Sequence, residues 1–112
     1  MNNIIAAQLF INRLKPLLAS KKVVFDPRNS KTQLFLMQEG MNTDDVFAYL
    51  ERLAPSNYFD GPKEDYNGTS GDVMMFLYPY KKTRIYIKLK IWKNNDEDFG
   101  VVMSFHEEGE YD

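Results

Sequence analysis

The chain contains no cysteine in 112 residues. That excludes disulfides, thiolate metal sites and cysteine nucleophiles, and it suits a reducing compartment or indifference to redox state. Histidine occurs once and tryptophan once. No cluster of imidazoles can therefore form a metal centre, and His106-Glu107-Glu108 lacks the spacing of a helical zinc motif. No phosphate-cradling glycine loop and no Gly-x-Ser-x-Gly turn is present. The longest apolar runs fall far short of a membrane span, and Met1-Asn2-Asn3-Ile4-Ile5 has no basic region before an apolar core. The expectation is a cytoplasmic protein that needs no metal and no small-molecule cofactor and has no membrane partner.

Apolar residues make up 44% and charged residues 27%, as in an ordinary soluble domain. The length allows one domain, residues 1–112, with a single modest core. Net charge is −2, but its distribution is uneven. Between Asp72 and Asp96 stand Lys81, Lys82, Arg84, Lys88, Lys90 and Lys93 with no acid among them. Before Asp26 stand Arg13, Lys15, Lys21 and Lys22, again without an acid. Acids collect in Asp96, Glu97 and Asp98 and in an acidic C-terminal tail over 107–112. A segregated surface can hold a polyanion on one side of a near-neutral protein.

Periodicity gives the element order. Residues 3–19 carry Leu9, Phe10, Leu14, Leu17 and Leu18 at helical spacing, with Pro16 expected to end or kink the helix near Lys15. Val23-Val24-Phe25 is a short extended segment. Ser30 is a candidate cap for a helix over 31–38 that stops at Gly40. Thr43 is a candidate cap for a third helix, with Asp44 and Asp45 in its first turn and Val46, Phe47, Leu50 and Leu53 inward. Residues 56–72 read as a long loop containing Gly61-Pro62, Asn67-Gly68 and Ser70-Gly71. Strands follow at 73–80, ending at Pro79, then at 83–92 and 100–106, the last with Val101, Met103 and Phe105 on one face. Helices followed by hairpin-connected strands predict an α+β domain whose N-terminal helices pack on one face of a small antiparallel sheet.

The strand Arg84–Trp92 alternates strictly. Ile85, Ile87, Leu89 and Ile91 form an inward face, and Arg84, Tyr86, Lys88, Lys90 and Trp92 an outward one. Cations interleaved with aromatics suit RNA, whose phosphates need positive charge and whose bases stack on rings. The same pattern also describes any half-solvated antiparallel strand, where lysine guards an exposed edge. A last hairpin symmetric about Asp96 would set Tyr86 opposite His106 and Lys88 opposite Ser104, on one face. The chemistry open to such a face is general acid–base cleavage of RNA by its own 2′-hydroxyl.

Several short segments carry a family resemblance. They are Leu14-Lys15-Pro16-Leu17-Leu18, Gly40-Met41 with the following acidic helix start, the Leu53 to Phe59 junction, Tyr78-Pro79, Tyr86-Ile87-Lys88, and Val102-Met103-Ser104-Phe105. Together they span most of the chain, which resembles the MqsR-type toxins of bacterial toxin–antitoxin pairs. The resemblance implies a RelE-like fold, mRNA endonuclease activity and a cognate antitoxin as partner. It sets Tyr86 on an active-site tyrosine and His106 on a C-terminal active-site lysine. Where the family has a lysine after the Tyr58-Phe59 pair this chain has Asp60, with Lys63 three positions on as the displaced cation. Met74 stands where the family has a glutamine. The expected site is therefore Tyr86, His106 and Lys63 for catalysis, with Arg84, Lys88, Lys90, Trp92, Lys81 and Lys82 holding RNA. The alternative is a non-enzymatic binding or regulatory protein, such as a phage-encoded module, that retains the fold.

Overall fold

The computed structural model describes residues 3–26, 28–64 and 72–109. They form three α-helices, a short 3-10 turn and a five-stranded sheet. Helix α1, Asn3–Ala19, buries Ala7, Phe10, Ile11, Leu14 and Leu17, a stripe repeating every three or four residues. Leu9 points outward instead of joining it. Pro16 does not end the helix. It withdraws the donor that Asn12 O would receive, but Asn12 is exposed and water can replace that bond. Ser20 then closes the last turn, its backbone N–H donating to Pro16 O at 3.0 Å.

Helix α2, Ser30–Glu39, is capped by Asn29, whose Oδ1 accepts the Thr32 N–H at 3.0 Å. Helix α3, Thr43–Glu51, is capped by Asn42 through a reciprocal box with Asp45, both bonds 2.9 Å. Each cap lies one residue before the expected Ser30 and Thr43, because an asparagine amide sits one position earlier and reaches the orphan N–H groups. Gly40 ends α2 in the left-handed conformation, as expected.

Strands β1 (Val23–Phe25), β2 (Tyr58–Glu64), β3 (Asp72–Tyr80), β4 (Thr83–Asn94) and β5 (Glu97–Glu107) are arranged β1-β5-β4-β3-β2. The sheet is mixed rather than purely antiparallel, because β1 pairs parallel to β5. Strand β2 lies inside the expected long loop. Gly61 and Pro62 mask it in sequence, yet an edge strand with register shifts tolerates both. The expected turns at 67–68 and 70–71, and the tail beyond Gly109, lie outside the described residues. β3 runs through Pro79 to Tyr80, since Pro79 pairs with Arg84 without ending the ladder.

Ile85, Ile87, Leu89 and Ile91 face the helices, in one core with Phe10, Leu14, Val46, Leu50, Phe76 and Phe105. This is an α+β fold with the helices over one sheet face. Burying an aliphatic side chain of this size contributes about 1.5–3 kcal/mol. The opposite face is not simply wet. Val73, Met75, Leu77 and Tyr86 form a second buried cluster against which Met103 packs.

Candidate active site on the second face of the sheet

Strands β4 and β5 meet through Asn95-Asp96, both with positive φ (53° and 65°), the geometry of a two-residue hairpin turn. From that turn the ladder counts Asn94 against Glu97, and the same count continued would set Tyr86 against Phe105. It does not continue, because a bulge between Lys88 and Leu89 takes up Met103 as an extra residue. Beyond it Lys88 faces Ser104 and Tyr86 faces His106, the pairs expected from sequence. Met103 turns away from Val102 and Phe105 and joins Tyr86 on the second face. The grouping of Val101, Met103 and Phe105 is therefore corrected: the bulge breaks the alternation they were read from.

The bulged edge is held by the start of α2. Asn29 Nδ2 donates to Met103 O at 2.8 Å and to Ser104 Oγ at 3.0 Å. The Phe105 N–H donates to Thr32 Oγ1 at 2.9 Å, and the Asp26 N–H to Val102 O at 2.9 Å. Where β1 stops pairing, side chains of the next helix take over the β5 edge.

The rings of Tyr86 and His106 lie 5.5 Å apart, tilted by 39°. Phe59 of β2 stands edge-on to Tyr86 at 6.2 Å. Tyr86 is 7% and His106 2% exposed, so the expected open, solvated pair is instead packed. His106 Nδ1 lies 3.1 Å from Glu107 O. The imidazole also lines a cavity of about 160 Å³ with Lys31, Leu34, Phe35, Gln38 and Glu107. A second cavity of about 320 Å³ lies beside it, lined by Asp26, Arg28, Asn29, Ser30, Lys31, Lys88 and Met103. Lys31 lines both.

The expected cations fare differently. Lys88 lines the larger cavity. Lys90 is 3% exposed and is not a solvent-facing phosphate ligand, because the second face around it is packed rather than wet. Lys63 Nζ sits 2.8 Å from Asp60 Oδ2, so the two departures from the family pattern form one ion pair. That pair is one cause, with the Gly61 N–H, of an Asp60 carboxyl held below its ordinary range. Arg84 makes a two-pronged contact with Glu108, both distances 2.7 Å. Lys81 lies 2.9 Å from Glu39, which also accepts the Tyr80 hydroxyl. Lys82 is exposed in the β3–β4 turn. Trp92 stacks against Phe99 at 5.9 Å, six residues along β4 from Tyr86. At strand rise that is about 20 Å away, so Trp92 is no part of the Tyr86–His106 site. Met74, matched to a family glutamine, is buried in the helix-facing core and turned away from it.

Arg28, Lys31 and Phe59 were not legible as site residues. Arg28 and Lys31 come from a turn and a helix that only tertiary packing brings to β4 and β5. Among the described residues no three His, Asp or Glu side chains group closely enough to hold a metal ion. No family model, no curated protein and no solved structure matches the chain.

Proposed function

We propose that this chain is a metal-independent endoribonuclease of RelE-like, MqsR-like toxin type, acting on mRNA in the cytoplasm and neutralised by a cognate antitoxin. The observation that carries the reading is the direct opposition of Tyr86 and His106 beside cavities lined by Lys31 and Lys88. In the reaction the 2′-oxygen attacks the adjacent phosphorus and the P–O5′ bond breaks. A 2′,3′-cyclic phosphate and a free 5′-hydroxyl result. His106 moves the proton, taking it from the 2′-hydroxyl or returning it to O5′. Tyr86 positions the phosphate, and Lys88 stabilises the charge that builds on its oxygens.

A second reading is a binding module that kept this fold without catalysis. It is favoured by the pairing of Lys63, Lys81, Arg84 and Lys93 with carboxylates of the chain itself and by the burial of His106. Induction in bacteria lacking a partner, alongside cleavage of labelled RNA in EDTA, separates the two. The toxin reading expects falling colony counts and EDTA-resistant cleavage. Unimpaired growth with abundant soluble protein, and intact RNA, support the binding module.

A further inference from the structure

Leu9 fits the helical spacing of α1 yet stands 59% exposed, and Ile5, one turn earlier, is 59% exposed as well. Residues four apart on a helix lie one above the other, so the two form an apolar ridge. Beside that ridge runs a groove of about 480 Å³ between α1 and the β2–β3 edge of the sheet. Leu9, Phe10 and Arg13 line it from the helix, and Pro62, Asp72 and Met74 from the strands. Its walls are mostly apolar, and small Ala6 keeps the helix surface low there. The two charged groups on its described walls are opposite in sign. Arg13 Nη1 lies 3.4 Å from Asp72 Oδ2, with the two side chains 41% and 63% exposed.

We infer that two copies of this chain associate through this face, α1 against α1 in opposite directions, each Leu9 seated in the groove of the other. Ridge and groove sit side by side, and Leu9 belongs to both. A face that carries a projection beside its own recess is complementary to a copy of itself turned about a two-fold axis. The charges agree with that partner. One cation and one carboxylate leave the rim balanced, so two copies meet without net repulsion, and the rotation sets Arg13 of each against Asp72 of the other. A strongly acidic or strongly basic partner gains nothing at such a rim. Burial of Ile5 and Leu9 from both copies supplies the attraction. Neither Tyr86 nor His106 is among the described residues on these walls, so the pairing is independent of the proposed nuclease chemistry.

Sedimentation velocity of the full chain, from low micromolar to near-millimolar concentration, is expected to show a reversible monomer–dimer equilibrium. Leu9→Asp should raise the dissociation constant by at least about 100-fold, because each dimer loses two buried leucines. Leu9 is exposed in the single chain, so the thermal melt of this variant at low concentration should match wild type. Arg13→Glu and Asp72→Arg should each weaken the dimer, since each leaves like charges on the rim. Mixed together they should form a heterodimer, because each chain supplies the charge that the other lacks. An ion pair confined within one chain cannot recover on mixing. A wild type that stays monomeric throughout overturns the pairing and leaves the groove to a different chain. Dimers that persist in Leu9→Asp overturn it as well, by placing the contact on another face. So does failure of the mixed charge variants to associate.

Discussion

Tyr86 and His106 stand opposite one another across β4 and β5, their rings 5.5 Å apart, because Met103 is an extra residue in the strand between them and the turn. A regular ladder would have given Tyr86 the ring of Phe105 and sent His106 into the helix-facing core. The bulge is thus the device that creates the candidate site. It is secured from outside the hairpin by Asn29, whose amide reaches the carbonyl of Met103 itself.

The pair is the first place to look for chemistry. Tyr86→Phe keeps the buried ring and removes one hydroxyl, a change of about 0.5–1.5 kcal/mol in stability at most. His106→Gly empties a buried position and costs more. Each should slow RNA cleavage by about 10²–10⁴ if general acid–base catalysis is lost. Added imidazole should restore part of the rate in His106→Gly alone. Full activity in both folded variants rejects the pair as a catalytic site.

Asn29 combines a helix cap with the anchor of the bulge. An ordinary cap is worth about 1 kcal/mol. Asn29→Ala also removes two donors to β5, which puts its expected cost at about 2–3 kcal/mol. Asn42→Ala, which removes a cap alone, should cost about 1 kcal/mol. Urea unfolding of the two variants measures the difference, and equal costs would show that the anchor contributes nothing.

Glu39 joins α2 to the β3–β4 turn. The Tyr80 hydroxyl and then the Lys81 ammonium hold its carboxyl below the ordinary 4.5, and the same bond raises the Tyr80 phenol. A depressed carboxylate contributes stability above its unfolded value, so this contribution is present above pH 4.5 and fades as pH falls through the lower folded value. In Tyr80→Phe the Glu39 carboxyl should titrate closer to its ordinary value, as followed by carboxyl-carbon NMR. An unmoved titration would mean that the hydroxyl is not the main cause.

Gly61 has φ of 104°, and a Cβ there would lie 2.7 Å from the Val73 carbonyl oxygen. Backbone strain and backbone contact act together, so Gly61→Ala should destabilise by roughly 1–3 kcal/mol. Because β2 carries Phe59, the same change should loosen the cover over Tyr86 and raise its accessibility. A thermal melt identical to wild type would contradict the strained geometry.

Local chemistry made much of this architecture legible. The spacing of Phe10, Leu14 and Leu17 and the alternation of Ile85, Ile87, Leu89 and Ile91 named the main core, because apolar burial dominates where each side chain points. The helix order followed from apolar periodicity and the last hairpin from its polar turn residues. Signals failed where the deciding partner was distant. The Tyr86 face read as wet because alternation records polarity, while the packing of Phe59 and Met103 against it depends on other strands. Strand β2 was hidden because Gly61 and Pro62 oppose strand formation locally and only pairing with β3 overrides them.

By itself, then, the amino-acid sequence determined the α+β class, the helix-facing residues and the presence of a basic strand bearing one tyrosine. Those properties arise from neighbours within a turn or two of chain. Tertiary structure alone decided which charges meet which partners and which rings meet. Lys81 finds Glu39, Arg84 finds Glu108, and Arg28 and Lys31 come to Lys88 only when α2 docks against β5. Charge matching and cavity formation depend on distances between groups far apart in the chain, and a linear pattern carries no record of those distances.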